Sequence, residues 1–159
     1  MKDYHIKWLE NEEIDLIRPL WEKLNLLHLD LSPNFKKRFQ EANWEKRKRK
    51  LIEKSSEILI ETIVDGVDAI VGYCISTVDG VNSQIGEIDS ICIDEAYREY
   101  GLGKLLVNNA IDWLIEKGTT EQKLLVGVGN ERVLDFYKQF DFLPLHIVLQ
   151  RVEKTGLGK

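Results

Sequence analysis

Arg98, Gly101 and Gly103 are separated by two residues and then by one, between an apolar run ending Ile91-Cys92-Ile93 and an apolar stretch reaching Lys117. A glycine turn at the mouth of a helix exposes backbone N–H groups that have no partner within the first helical turn. The guest such donors suit is an anion, most naturally a phosphate. Two familiar glycine loops fail on spacing. A Walker loop needs Ser or Thr after its Gly-Lys pair, whereas Leu105 follows Lys104 and Arg98 stands where the first Gly belongs; a dinucleotide fingerprint would need Gly at Leu106. Gly127 and Gly129 begin the same pattern and Arg132 ends it. Two carboxylates, Glu87 and Asp89, lie on the run leading into the turn, and as alternate residues of a strand they project to one face.

The spacing Arg98-x-x-Gly101-x-Gly103, after a strand and before an apolar helix, resembles the acetyl-CoA-binding motif of the GNAT superfamily of N-acetyltransferases. The likeness continues with a strand at Lys123 to Val128, Asn130 at its end and a helix carrying Phe136-Tyr137, so that it spans Glu87 to Phe142. The N-terminal half has no comparable signature. The resemblance implies an α/β (α+β) fold in the order βααβββαβαβ, with about four helices and a mixed, mostly antiparallel sheet of six to seven strands. It further implies transfer of an acetyl group from acetyl-CoA to a primary amine by direct attack in a ternary complex, without a metal. The rival on the same fold is a sensor that binds acyl-CoA and turns nothing over.

The resemblance also assigns roles. Amides from Glu99, Tyr100, Gly101, Leu102, Gly103 and Lys104 would hold the pyrophosphate, with Arg98 as an added charge. Several hydrogen bonds to a charged group, at roughly 1.5–3 kcal/mol each, outweigh the roughly 0.3–1 kcal/mol of the helix dipole. Backbone groups of Ile91 and Ile93 would meet the pantetheine arm, one N–H polarising the thioester carbonyl. Tyr137 takes the place of the family's proton donor to the leaving sulfur, Asn130 lies beside the pantetheine, and Glu87 is the carboxylate that accepts the amine proton through water. The plainer readings are an ion-paired Glu87, a packed Tyr137 and an Asn130 that caps a helix. His28 and Asp89 belong to the acceptor side, although a lone histidine on an apolar stripe is commonly structural. Glu99 replaces a frequent glycine, so its side chain must turn to solvent. Asp141 stands where the family has Gly before the Phe, and aspartate tolerates positive φ.

The elements that must position these residues follow from periodicity. Tyr4 to Leu9 alternates as a strand, Asn11 is a helix cap, and Ile14, Ile17, Trp21, Leu24 and His28 recur at helical spacing, with Pro19 predicting a kink. Ser32-Pro33 reads as the start of a second helical region reaching Ser55, interrupted at Asn43. From Glu57 the period becomes two. Turns at Asp65-Gly66 and Asp79-Gly80 separate three antiparallel strands, the last from Gln84 to Asp94. A helix over 101–117 with two apolar flanks ends at Gly118. Val133, Phe136, Tyr137 and Phe140 form the last helical stripe, and Phe142 to Val152 reads as a closing strand beyond which a seventh has little room. A homodimer built on that edge stays open, and the tail 154–159 is expected to fray.

With 159 residues the chain reads as one domain that needs no disulfide or metal to bury a core. Cys74 and Cys92 sit in strand-like runs and suit buried thiols of a reducing compartment. The polar start carries no signal-peptide pattern, and no apolar run is long enough for a bilayer; the expected location is the cytoplasm. Net charge is −5, with 27 acidic against 22 basic side chains, which disfavours nucleic acid and leans toward a cationic small-molecule amine. Lys46 to Lys50 is the exception, five basic residues in succession that read as a solvated face.

Overall fold

The computed structural model describes residues 3–153, so the expected fraying of 154–159 lies outside the described residues. Its regular elements are β1 Tyr4–Leu9, α1 Arg18–Leu31, α2 Lys36–Gln40, α3 Trp44–Lys54, β2 Ser55–Asp65, β3 Ile70–Asp79, β4 Ile85–Ile93, α4 Leu102–Glu116, β5 Glu121–Leu124 and α5 Leu134–Lys138. The strands form one sheet in the order β1-β2-β3-β4-β5. The first four pair antiparallel, and β5 joins β4 in parallel after the α4 crossover. This is the mixed, mostly antiparallel sheet that the resemblance implied.

Aspartate side chains close both turns of the β2–β3–β4 meander. Asp65 accepts from the N–H groups of Val67 and Ala69, and Asp79 from those of Val81 and Asn82, which is the local bonding that favours Asp at turns. The sheet buries both faces. On one side Ile14, Ile17, Leu20, Trp44 and Leu51 pack on Ile60, Tyr73 and Ile75; on the other, Leu102, Leu106, Val107, Ala110 and Leu114 pack on Cys74, Val78 and Ile88. Central β3 is accordingly buried over Val71–Val78.

One irregularity in β4 sets up the site. Ile75 pairs with Ser90 and Ser76 with Ile88, so Asp89 is an extra residue, a β-bulge. Ile88 packs on the α4 side, as Ile91 and Ile93 do, a step of three that alternation alone forbids. The bulge thus delivers Asp89 and Ser90 to the same face as the N-terminal helices: Asp89 reaches Arg47 and Lys54 of α3, and Ser90 bonds the hydroxyl of Tyr73.

Several boundaries differ from the periodicity. Asn11 opens a 3-10 turn, Asn11–Ile17, capped by reciprocal bonds between Glu10 and Glu13. Pro19 then falls in the first turn of α1, where its missing N–H costs nothing, so the change of helix type replaces a kink. Ser32 ends α1, and its hydroxyl accepts from Phe35 N–H instead of opening α2. Asn43 does cap α3, accepting from Lys46 N–H at 3.1 Å. On α4 the second apolar flank is buried in part: Val107 is buried and Ile111 packs against the core, whereas Ile115 is exposed. The strand expected over 123–128 pairs at Glu121–Leu124, earlier in the chain. No strand forms among described residues 142–152, and the sheet has five strands instead of six or seven; Leu143, Leu145, Ile147, Val148 and Leu149 stand exposed there.

Candidate active site

β4 and β5 pair at only four positions, Ile85 with Glu121 through Ile88 with Leu124, and then part. The bulge at Asp89 begins where the pairing stops. Beyond it β4 continues to Ile93 while the chain after Leu124 leaves the ladder, and a cavity of about 970 Å³ opens between them. Asp94 donates its N–H to Val71, so alternation turns the backbone groups of Ile91 and Ile93 toward the side that β5 has vacated. The Ile93 carbonyl is met there by Arg98 Nε at 3.1 Å.

The glycine turn closes one end of the cavity. Glu99 and Gly101 both adopt left-handed backbone, φ 70° and 74°, and α4 begins directly after them. The first bond of the helix runs from Leu105 N–H to the Gly101 carbonyl, so the N–H groups of Leu102, Gly103 and Lys104 are first-turn donors with no carbonyl in the helix to receive them. Successive amides around left-handed residues form an anion-binding nest. A Cβ on Gly103 would come within 3.4 Å of the Phe136 ring, so a larger side chain there would crowd it. Glu99 is exposed, and its backbone takes the strained conformation that glycine would adopt freely.

Asn130 supplies a separate mark of a missing partner. It precedes the last helical segment but makes no side-chain capping bond, contrary to the capping role expected of it. Its Oδ1 is buried with no hydrogen-bond donor among the described residues. A buried acceptor is rarely left so, and a ligand amide N–H in the cavity would satisfy it. Tyr137 lines the same cavity from α5; burial, with the nearby Cys74 thiol second, pushes its hydroxyl up to about 12. It is therefore a protonated donor throughout the neutral range.

Of the residues singled out from sequence, Ile91, Ile93, Arg98, Glu99, Gly101, Leu102, Gly103, Lys104, Asn130, Tyr137, Asp89 and His28 all line this one cavity. Two do not. Tyr100 is 55% exposed and is not among the lining residues, and Glu87 lies in a separate small depression beside Lys54 and Lys123. Glu87 Oε2 is 3.8 Å from Lys54 Nζ, the ion-paired arrangement that was the plainer reading. The Asp89 side chain is 2% exposed and has both oxygens engaged, one by Arg47 and one by Lys54 at 2.7 Å. No carboxylate on β4 is thus free in the cavity to take a proton.

Sequence reasoning missed Arg47. Within the basic block it was grouped with a solvated face, yet Trp44, Arg47, Leu51 and Lys54 share one helical stripe, and Trp44 and Leu51 are buried. That spacing was the available signal. The same wall contains Trp21, Leu24 and His28 of α1 and Arg38 and Phe39 of α2. His28 stacks 5.7 Å from Phe39, and burial pushes its imidazole below the ordinary value, toward the neutral form.

Comparison with known proteins agrees with this geometry. Over 65 residues the chain is 34% identical to an uncharacterized N-acetyltransferase of Methanocaldococcus jannaschii, a match covering 41% of this chain and 29% of that relative's length. A GCN5-related N-acetyltransferase from Ralstonia eutropha JMP134 superposes with a TM-score of 0.73 at 14% identity, covering 94% of this chain and 99% of that one. An aminoglycoside N-acetyltransferase in complex with CoA does so with a TM-score of 0.67 at 13% identity, covering 97% of each. The family model described as Acetyltransferase (GNAT) family matches residues 21–142, and the chain belongs to that family.

Proposed function

We propose that the protein transfers an acetyl group from acetyl-CoA to the amine of a small molecule. The observation that carries this reading is the parting of β4 from β5 after Ile88 and Leu124, which opens backbone groups into a cavity with a nest of amides at its end. The residues present fit the donor. Amides of Leu102, Gly103 and Lys104 suit a diphosphate, with Arg98, Lys104 and Arg132 as cations around it, and the orphaned Asn130 Oδ1 suits an amide N–H of a pantetheine arm. Bound there, acetyl-CoA would supply an acetyl group activated as a thioester.

The remaining chemistry is the protein's own. The neutral amine nitrogen bonds to the thioester carbonyl carbon, the carbon–sulfur bond breaks, one amine proton leaves, and the departing sulfur takes a proton. Tyr137 is the donor we assign to the sulfur, because it lines the cavity and keeps its proton. An ordinary alkyl amine has a pKa of about 10.4, and its deprotonation at neutral pH costs about 4–5 kcal/mol of reactive population. With Glu87 outside the cavity and Asp89 doubly paired, we assign the acceptance of that proton to solvent in the open cavity. An alkaline limb of the pH profile that disappears in Glu87→Gln contradicts this assignment.

Release of free thiol from acetyl-CoA against a panel of amines tests the activity. Amine-dependent release supports it, whereas tight acetyl-CoA binding with no release for any amine identifies a sensor. We also propose that the exposed aliphatic run at 143–149 is covered by a second copy along the open edge of β5. At the roughly 60–120 Å² per buried aliphatic side chain implied by transfer energies, five such residues from each of two copies supply on the order of 600–1,200 Å² before the facing edge is counted, near what a specific interface needs. Sedimentation showing a monomer, or a dimer unaffected by Ile147→Asp, refutes this contact.

A further inference from the structure

The cavity is one of opposite charge to the chain that builds it. The chain carries a net −5, yet five described lining residues are Arg or Lys and only two, Asp89 and Glu99, are acidic. Two of the cations, Arg98 and Lys104, belong to the nest itself. Arg38 and Arg47 do not. Arg47 bonds Asp89, which lies roughly 13 Å back along β4 from Ile93 at about 3.3 Å per residue. Arg47 therefore flanks the far side of the strand opening, where an acceptor would enter, and Arg38 lines the same cavity from α2.

At that end a polycation would find no unmatched acid. Asp89, the one lining carboxylate there, already receives Arg47 and Lys54 on its two oxygens, and Glu87, outside the cavity, faces Lys54 as well. The surplus is positive: Arg38 stands beside Phe39 in α2, and its neighbourhood in the cavity holds Asn25, whose side chain is spent on the Phe39 carbonyl. Arg47 uses one edge of its guanidinium on Asp89 and is held by that bond, which leaves further N–H donors of its five for a planar anion. Around the arginines the wall is apolar and aromatic, with Trp21, Leu24, Leu27 and Phe39.

We infer that the acceptor is a small amine that also carries a carboxylate and an apolar side chain, as a hydrophobic α-amino acid does, and that Arg38 and Arg47 bind the carboxylate. This rests on the acetyltransferase reading above and replaces the cationic acceptor that the overall acidic charge had suggested. The carboxylate also fixes the nitrogen in register with the cavity, because bidentate guanidinium contacts set orientation as well as charge. A neutral His28 adds no competing cation within the wall.

The test compares leucine and phenylalanine with their amides, their decarboxylated amines, spermidine and an aminoglycoside, following thiol release, with acetyl-CoA affinity measured in parallel. The free amino acids should show kcat/KM roughly 10- to 100-fold above their amides, about the range that a single hydrogen bond to a charged group supplies. Arg38→Gln, at an exposed position, should raise KM for the amino acid toward that of the amide, with acetyl-CoA affinity unchanged. Arg47→Lys should do so in part, while keeping a cation against buried Asp89 so that folding is preserved. Preference for spermidine or the aminoglycoside, equal use of acid and amide, or tight acetyl-CoA binding with no turnover or binding of any carboxylate-bearing amine overturns the inference and leaves the donor site standing. Failure to bind acetyl-CoA overturns the reading beneath it.

Discussion

Replacing Asn130 with alanine separates a binding group from a structural one by the opposite signs of two effects. The side chain makes no capping bond and its Oδ1 is buried without a donor, while the backbone bonds Asn130 N–H to Gly127 and Val133 N–H to Asn130 do not depend on it. An unsatisfied buried acceptor costs about 1–3 kcal/mol, so its removal should stabilise the free protein, by about 1 kcal/mol after allowing for lost packing. In a chain of this length that raises the melting temperature by about 2–4 °C. The same substitution removes the hydrogen bond assigned to the donor's amide, a net contribution of about 0.5–1.5 kcal/mol, or roughly a 2- to 12-fold weaker acetyl-CoA Kd. Differential scanning calorimetry and titration calorimetry on the one variant measure both. A lower melting temperature with an unchanged Kd would show that Asn130 serves the fold alone, and the fit of the donor would lose its clearest support.

Other substitutions probe the remaining parts. Tyr137→Phe should lower kcat by about 100-fold or more, the lower end for a general acid, while acetyl-CoA affinity stays near that of the parent; losses of equal size in both would reduce Tyr137 to packing. Glu99→Gly should relieve a left-handed residue that costs about 1–2 kcal/mol, offset by about 0.5–1 kcal/mol of glycine entropy, and should tighten acetyl-CoA by removing a carboxylate near the nest; weaker binding would contradict it. Glu61, 1% exposed beneath α4 and bonded by Asn109, has its carboxyl pushed up chiefly by burial. The native state then holds a proton that the unfolded chain has released, so stability should fall as pH rises from the ordinary glutamate value through the raised one. Glu61→Gln should flatten that decline in urea titrations across the acid range, and an unaltered slope would refute it.

The parts of the fold that local chemistry dictates were legible in sequence. Asp65 and Asp79 marked their turns, Gly118 its helix end, and Asn43 its cap, because each acts on backbone within a few residues. Arg98, Gly101 and Gly103 carried the nest for the same reason. What escaped depended on contacts distant in sequence. The bulge at Asp89 is a register change between two strands and leaves no period in either. Glu87 was placed on the correct face, yet whether that face lies inside the cavity depends on Lys54 and on where β5 ends. The closing strand expected over 142–152 also needs a neighbour, and the described chain offers it none. Arg47 was concealed by composition, since five adjacent charges suggested solvent while the helix turned Arg47 toward Asp89.

The central claim is that the turn before α4 grips the diphosphate of the acyl donor. Titration calorimetry of acetyl-CoA into the parent and Gly103→Asp tests it most directly, because the new side chain projects where a Cβ already meets Phe136 at 3.4 Å and sets a carboxylate among the amides. The account predicts clear binding by the parent and none by a variant that circular dichroism shows to be folded. Equal affinity in the two proteins would contradict it.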